Sequence, residues 1–306
     1  MKNNFSIIIF SSFLQILGIF AVTFFILHLI PGDPIQVMLG ESAAIADQMK
    51  LREELGLDQP IYKQMIDSYL QIVRGDFGKS ILTGMPINQQ IIIATKNTYL
   101  LALSALCIAI LFGISGGLIA AKYKDSLIDR VIINSSLFFI SIPHFFLGPL
   151  LMLWLSIWLG WLPISGMNSP FSIVLPALTL SLGMLAIIIK MTRNCMVEIM
   201  DSDAVRTARA KGLKEWTITI NHIFRLVLIP LITIIGMQFG ALLSGAVITE
   251  TLFSWNGLGM LLVDSIQMRD YPITQACIFI IAISYVFVNL FTEILYKLLD
   301  PRMKSI

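Results

Sequence analysis

Six long apolar runs dominate this 306-residue chain and limit it to folds that cross a membrane. Each run suits a helix through the roughly 30 Å hydrocarbon layer of a bilayer, although the fourth run is short. The runs cover residues 5–30, 97–121, 131–160, 175–190, 226–250 and 275–299. Because irregular backbone and open sheet edges are costly in lipid, the sequence predicts an all-α membrane protein with six transmembrane helices.

The composition also indicates a membrane protein. Hydrophobic residues make up 57% of the sequence and charged residues 13%, against about 25% charged in soluble proteins. The first run is longer than the apolar region of a signal peptide and lacks a small-x-small cleavage site before Pro31, which predicts an uncleaved helix. Cys107, Cys195 and Cys277 show neither CxxC nor Cys/His spacing, so no metal site or disulfide framework is expected.

The distribution of basic residues predicts the orientation of the chain. If the N-terminus is cytoplasmic, the segments on that side of the membrane carry 14 of the 21 Lys and Arg residues. Six of the other seven lie in the long segment after the first run, where the positive-inside rule has little force. We therefore expect both termini in the cytoplasm, together with residues 201–230.

Within that cytoplasmic stretch, residues 201–212 carry the signals of a short separate helix. Residues favourable at a helix N-terminus come first, basic residues favourable at its C-terminus follow, and a glycine ends the segment. In order, these are Asp201 or Ser202, Asp203, Arg209, Lys211 and Gly212. The pattern predicts a helix of about three turns.

The two faces of this short helix differ in character. At about 100° per residue, small residues and a lysine share one stripe, while two arginines point roughly the opposite way. The stripe holds Ala204, Thr207, Ala208 and Lys211, and the other face holds Arg206 and Arg209. Small side chains allow another backbone to approach closely, so the stripe is either a docking surface or part of a solvated amphipathic loop helix.

Polar side chains within the apolar runs are candidates for a substrate path, because such groups usually face a bundle interior or water. They are His28, His144, Gln238, Asn289 and Glu293, with Glu250 at the outer mouth. Each either contacts substrate or makes a structural hydrogen bond between helices. Pro143 and Pro149 are expected to bend the third span. Close packing of the fifth span is expected at Gly236, Gly240 and Gly245.

The outer loop of residues 251–274 combines aromatic residues with turn-forming glycines. Trp255 and Tyr271 are typical of the aromatic belt at a membrane interface. Gly257 and Gly259 predict a turn before a small amphipathic segment, and Asp270 immediately precedes Tyr271. The loop is either a lid or gate, or a plain interface anchor.

Two short motifs resemble catalytic sites but lack the required context. Gly78-Lys79-Ser80 ends like a phosphate-binding loop, yet Val73 stands where that loop needs a glycine. Residues 113–116 show the Gly-x-Ser-Gly pattern of intramembrane serine proteases, with His144 as a conceivable base. Small residues in a membrane helix more often allow close packing of helices, so neither motif predicts an enzyme.

A series of motifs in a fixed order gives the chain a resemblance to a known family. The motifs are Pro31-Gly32-Asp33-Pro34, Leu55-Gly56-Leu57-Asp58-Gln59-Pro60, Gly75-Asp76-Phe77-Gly78-Lys79-Ser80, Asn97-Thr98, residues 206–213, Arg269-Asp270-Tyr271-Pro272 and Asp300-Pro301-Arg302. With them the chain resembles the permease subunits of ATP-binding-cassette (ABC) importers, in the branch that serves dipeptides, oligopeptides and nickel. The resemblance covers nearly the whole chain. It implies the type I importer permease fold with a small helical extracellular insert after helix 1.

In this family a short cytoplasmic helix, the coupling helix, fits a cleft on the ATPase subunit. The resemblance assigns this role to Asp203, Ala204, Arg206, Thr207, Ala208, Arg209, Ala210, Lys211 and Gly212. Arg206 stands where the general motif has a glutamate, and Asn256 stands where the branch has a proline before Gly257.

The resemblance also implies partners and a division of the chain. The implied partners are a second homologous permease, two ABC ATPase subunits, an extracellular or periplasmic substrate-binding protein and the lipid bilayer, with no nucleic acid. The ATPases use ATP and Mg, whereas this chain binds no cofactor and is not an enzyme. The implied regions of this bacterial cell-membrane protein are a first transmembrane helix (1–30), an extracellular helical insert (31–94), a five-helix core (95–299) and a cytoplasmic tail (300–306).

The sequence constrains the identity of the substrate less than it constrains the family. Di- and oligopeptides are the first expectation, and nickel or a metal chelate is the alternative within the same family. An ATP-independent secondary transporter is the alternative from a different class. Such a transporter is expected to show inverted internal repeats with matching short or broken spans, and this sequence has no such duplication.

Overall fold

The computed structural model describes residues 2–29, Ile35, Leu39, 44–54 and 56–299. It describes the backbone alone at residues 2–10, 27, 28, 54, 220–222, 225, 243, 244 and 296–299. Two of the family motifs, at residues 31–34 and 300–302, lie outside the described residues.

The described chain is almost entirely helical, which confirms the predicted all-α fold. In order, the helices are α1 (Lys2–Leu29), α2 (Ile45–Glu54), α3 (Ile61–Val73), α4 (Ile87–Lys122), α5 (Leu127–Ser141), α6 (His144–Leu151), α7 (Val174–Met200), α8 (Asp203–Ala210), α9 (Glu215–Thr217), α10 (Arg225–Leu252), α11 (Leu258–Gln267) and α12 (Tyr271–Leu299). π-helical turns follow α6 at Met152–Trp158 and precede α10 at Ile218–Phe224, and a 3-10 turn at Pro170–Ile173 leads into α7.

The predicted spans correspond to helices of this set. Three described helical stretches are long and apolar enough to cross a membrane, namely Ile87–Lys122, Pro170–Met200 and Tyr271–Leu295. The number rises to five if two bent helix pairs each form one span. A shorter apolar stretch, Ser11–Ile26, lies within α1, where the first span is predicted.

The third predicted span is broken, which is a larger departure from straightness than the expected bend. The stretch Leu127–Ser141 and the stretch His144–Trp158 meet at an angle of 109°. Ile142 adopts an extended conformation, with φ −93° and ψ 120°, because the ring of the following Pro143 disfavours a helical residue before it. Pro149 lies inside α6 and does not end that helix.

The chain divides into two compact units, one of residues 1–98 with 256–286 and the other of residues 99–255 with 287–306. The boundary that the family resemblance implies, between residues 94 and 95, falls inside the continuous helix α4. The first unit contains a buried apolar cluster that includes Ile87, Ile91, Leu258 and Ala276. The second contains a larger cluster that includes Leu101, Leu180, Ile188 and Leu231.

Close contact between α4 and α7 explains the glycine-rich stretch that resembles a protease motif. A methyl group added at Gly117 would lie 2.5 Å from Cβ of Thr192 and 2.8 Å from the carbonyl oxygen of Ile189. Ser115 is exposed, and its hydroxyl donates to the carbonyl oxygen of Leu111 in its own helix. The small residues therefore serve helix packing, as their frequency in membrane helices suggests.

Candidate functional site

The candidate ATPase-docking element is helix α8, which contains eight residues, Asp203–Ala210. It is shorter than the predicted three turns, because eight residues make little more than two turns of about 3.6 residues each. Ser202 occupies the N-cap position, but its side chain accepts no capping hydrogen bond, unlike the prediction. Gly212 has φ of +75°, which confirms the left-handed position expected after the helix.

Helix α8 is anchored to its own unit by two side chains. Val205 is 1% exposed and Ala208 is 7% exposed, and both belong to the large apolar cluster. Ala208 was expected on the docking stripe, so this position is corrected: it packs inward because a mostly polar helix needs an apolar contact to hold it. The rest of the predicted docking set is exposed, namely Asp203, Ala204, Arg206, Thr207, Arg209, Ala210, Lys211 and Gly212.

Ion pairs connect α8 and the residues just before it with other segments of the second unit. The guanidinium of Arg209 donates to both carboxylate oxygens of Glu215, at 2.8 and 3.3 Å. This hydrogen bond raises the pKa of Arg209 above its ordinary value, because the carboxylate of Glu215 favours the charged guanidinium. Nζ of Lys124 lies 3.2 Å from Oδ2 of Asp201, just before the helix. Both pairs are largely exposed, so each contributes about 1 kcal/mol or less.

Two apolar side chains next to α8 extend the exposed surface, and neither was among the predicted docking residues. Leu213 is 40% exposed and Trp216 is 75% exposed. Tryptophan is among the residues most often found at the centre of protein interfaces. A tryptophan in a basic loop was the signal available in the sequence. We refer to the exposed residues of α8 with Leu213 and Trp216 as the α8 surface.

Two of the predicted path residues line one cavity within the second unit. His144 and Gln238 face a space of about 180 Å³ together with Gly183 and Gly245. Nδ1 of His144 lies 3.1 Å from the carbonyl oxygen of Thr179, and Nε2 takes no part in that hydrogen bond. This volume is below the roughly 300 Å³ of typical small-molecule sites.

The other predicted path residues do not line this cavity. Glu250 is fully buried, and its carbonyl oxygen accepts a hydrogen bond from the backbone N–H of Trp255 at 2.8 Å. Asn289 is exposed on α12, and Glu293 is partly buried on the same helix. The side chain of His28 lies outside the described residues.

One expectation for residues 251–274 is wrong. Trp255 is only 3% exposed and belongs to the large apolar cluster of the second unit, so it is not part of an exposed aromatic belt. An indole with enough apolar neighbours gains more from burial than from a place at an interface. Tyr271 is partly buried at the start of α12.

Within the first unit, the predicted loop residues are connected to motifs from distant parts of the sequence. Asp270 is 2% exposed and accepts hydrogen bonds from the hydroxyl of Ser80 and the N–H of Ile81. Gly257 occupies the N-cap position of α11 and has no side chain to cap the helix. The N–H of Leu258, the first residue of α11, instead donates to the hydroxyl oxygen of Thr98 at 2.8 Å.

Asn97 and Gly259 complete this part of the first unit. Nδ2 of Asn97 donates to the carbonyl oxygen of Asn256 at 2.7 Å. Gly259 is buried in the first turn of α11. Among the described residues, no group of three His, Cys, Asp or Glu side chains is arranged to hold a metal ion.

Comparison with known proteins decides which family this geometry belongs to. The profile of the family "Binding-protein-dependent transport system inner membrane component" matches residues 113–305, and the profile of the corresponding N-terminal region matches residues 5–84. The chain belongs to this family. The permease is therefore the membrane subunit of an ABC importer and is not itself the ATPase.

Similar permeases are known from several bacteria. The chain is 36% identical over 289 residues to the glutathione transport system permease protein GsiC of Pectobacterium atrosepticum, covering 94% of both chains. It is 38% identical over 283 residues to the protein of the same name from Escherichia coli strain K12, covering 92% of both. The matches to these relatives cover nearly the whole chain and therefore include both units of the permease.

The fold is similar to that of a solved importer. Two structures titled "Inward facing conformations of the MetNI methionine ABC transporter" match with TM-scores of 0.59 and 0.61. Sequence identity is 15% and 13%, and the matches cover 69% and 70% of this permease and 97% and 98% of the other chains. At this identity the likeness shows the fold alone, which is that of a type I importer permease.

Proposed function

We propose that this permease pairs with a second homologous permease and forms a path for small peptides across a bacterial cell membrane. Two ABC ATPase subunits hydrolyse ATP with Mg on the cytoplasmic side, and a substrate-binding protein delivers the peptide on the outer side. The α8 surface is the coupling helix that binds one ATPase. Movement of the ATPases is relayed through α8 to α7 and α10 as a rigid-body shift.

The observation that supports the coupling role is the combination of a fixed and an exposed side on α8. Val205 and Ala208 anchor the helix in the apolar cluster, so a push on α8 is transmitted to the bundle. The residues of the other faces are exposed, and Trp216 adds an apolar anchor beside them. A helix that only bridged two spans would need no exposed tryptophan at its side.

The substrate class is supported by the relatives. Both named relatives are glutathione permeases that match almost the full length of this chain. Glutathione is a tripeptide, and a peptide presents amide and carboxylate groups that His144 and Gln238 can hydrogen-bond in passing. No observation of the described residues favours nickel or a metal chelate over a peptide.

The coupling role is tested by replacing Trp216 in the complete importer. Trp216→Ala is expected to weaken binding of the ATPase subunits about thirtyfold, seen as a loss of co-purification, because truncation of a central interface tryptophan costs about 2 kcal/mol and about 1.4 kcal/mol is a factor of ten. Trp161→Ala is the matched control, because Trp161 is 71% exposed but lies between the third and fourth predicted spans, on the outer side of the membrane in the predicted topology. Equal retention of ATPase by both variants would refute the coupling role.

The substrate class is tested by uptake in cells that contain the cognate binding protein. Glutathione, a dipeptide and Ni²⁺ are compared, each with radioactive or mass-spectrometric detection. ATP-dependent uptake of either peptide supports the proposal. Uptake of Ni²⁺ but of neither peptide would show that the substrate is the metal. That result would not bear on the coupling role.

The proposed topology has its own test. Single cysteines at Thr83 and Lys211, both exposed, are introduced into a cysteine-free variant of the permease. A membrane-impermeant maleimide is expected to label position 83 from outside in intact cells and position 211 only after lysis. The reverse labelling would overturn the outer location of residues 31–94 and the cytoplasmic location of α8.

A further inference from the structure

A cavity of about 270 Å³ lies in the second unit between the start of α5 and the end of α7. Its lining includes Asp125, Asp129 and Arg130 from the α5 side and Lys190 and Arg193 from α7. We call it the α5–α7 cavity. It shares no residue with the α8 surface or with the cavity at His144.

The charges of the α5–α7 cavity do not cancel. Arg193 donates to both oxygens of the buried Asp129, at 3.2 and 2.7 Å, so these two charges neutralise each other. Arg130 and Lys190 are exposed, and neither forms an ion pair within 4.0 Å in the part of the chain that the structure describes. With Asp125 as the other acid, the lining holds three basic and two acidic side chains, which leaves a positive charge.

An exposed apolar stripe lies beside these cations on α5. Leu127, Val131 and Phe138 are 78%, 65% and 62% exposed. At about 100° per residue their side chains fall within roughly 40° of one another on the helix. Asn134 lies in the same sector, and Arg130 lies at its edge. A cation pair at the end of a membrane helix, next to a bare apolar stripe, matches the two parts of a phospholipid.

We propose that the α5–α7 cavity binds the phosphate group of an anionic phospholipid, with its acyl chains along the Val131 and Phe138 part of the stripe. Basic pockets between membrane helices at the cytoplasmic side are suited to such headgroups. Arg130 and Lys190 bind the phosphate oxygens, and the amide of Asn134 donates to the headgroup. Because α7 leads into α8 after Met200, the bound lipid stabilises the helix end that positions the α8 surface.

The proposal is tested with the complete importer in a neutral detergent. Short-chain phosphatidylglycerol, short-chain phosphatidylcholine and inorganic phosphate are titrated separately, and the melting temperature and native mass spectra report binding. We expect phosphatidylglycerol to bind, phosphatidylcholine to bind at least about tenfold more weakly, and inorganic phosphate to bind weakly because it lacks acyl chains.

Two paired variants locate the site. The double variant Arg130→Gln with Lys190→Gln is expected to weaken phosphatidylglycerol binding about tenfold or more, since each cation near an anionic lipid contributes about 1 kcal/mol, a fivefold change. The control Lys122→Gln with Lys214→Gln removes the same charge from exposed positions outside the cavity and is expected to change binding less than about twofold.

Three outcomes would overturn the proposal. These are equal phosphatidylglycerol binding by the cavity and control variants, equal binding of phosphatidylcholine, and a phosphate affinity that matches that of phosphatidylglycerol. If the double variant unfolds, Lys190→Gln alone is compared with Lys122→Gln in the same titration. A lower affinity of the first supports the site, and equal affinities refute it.

Discussion

The hydroxyl of Ser80 donates a hydrogen bond to Oδ2 of Asp270 across 190 positions of the chain, with the oxygen atoms 2.5 Å apart. The N–H of Ile81 donates to Oδ1 of the same carboxyl group at 3.3 Å. Two motifs that are far apart in the sequence thus form one buried polar contact in the first unit. The resemblance of Gly78-Lys79-Ser80 to a phosphate-binding loop is therefore explained by a structural role of Ser80.

This contact predicts a coupled loss of stability. Ser80→Ala is expected to lower the free energy of unfolding by about 1–2 kcal/mol, because the buried Asp270 then lacks one donor. Chemical unfolding in mild detergent measures the change. Ser104→Ala is the control, because that exposed hydroxyl donates only to Leu100 of its own helix at 2.8 Å. A second measurement on Asp270→Asn and the double variant should give non-additive losses, and additive losses would contradict the contact.

The glycine contact between α4 and α7 predicts a clear contrast between two glycines. Gly117→Ala is expected to cost about 1–3 kcal/mol, because the added methyl group meets Thr192 and the backbone of Ile189. Gly18→Ala is the matched control, since a methyl group there has no neighbour within 4 Å. Alanine is favoured over glycine within a helix by about 1 kcal/mol, so the control should be neutral or stabilising. Equal effects in thermal unfolding would show that α4 and α7 do not pack closely at Gly117.

The pair of Asp129 and Arg193 predicts a different response to single and double substitution. Either Asp129→Leu or Arg193→Met leaves a charge without its partner and is expected to destabilise by about 3 kcal/mol. The double variant should recover much of that loss, because no unpaired charge remains. The exposed pair of Lys124 and Asp201 is the control, with an expected effect of about 1 kcal/mol or less. A double variant that is as unstable as the sum of its single variants would contradict this reading.

The cavity at His144 predicts a defect in transport without a defect in folding. Gln238→Leu keeps the approximate size of the side chain but removes its hydrogen-bonding groups, so peptide uptake should fall about tenfold. Met237→Leu is the control, because Met237 is adjacent in α10 but 68% exposed. ATPase co-purification should be unchanged in both variants. Normal uptake by Gln238→Leu would remove this residue from the path.

Hydropathy predicted the helices of this permease well but could not predict their directions. The apolar run of residues 131–160 indicates a segment that prefers lipid, and its length suggests one span. The chain instead turns by 109° between α5 and the stretch that begins at His144. Pro143 marks the place in the sequence, yet the size of the angle depends on packing against α7 and α10, which local sequence does not encode.

The position of helix α8 was predicted from the sequence, but the burial of all its residues was not. The capping pattern identified α8, and helical spacing placed Ala208 on the outer stripe. Because Val205 lies three positions earlier and is strongly apolar, the inward face of α8 is set by Val205 and draws Ala208 with it. Trp255 shows the same limit, since an aromatic residue near an interface is buried or exposed according to neighbours from distant segments.

The most direct measurement of the coupling role is photo-crosslinking within the complete importer. A photoreactive benzoylphenylalanine replaces Thr207, Trp216 or the control Trp161, and the crosslinked products are identified by mass spectrometry. The α8 surface predicts crosslinks from positions 207 and 216 to an ATPase subunit and none from position 161. Absence of ATPase crosslinks at both 207 and 216, in an importer that retains its ATPases, would contradict the account.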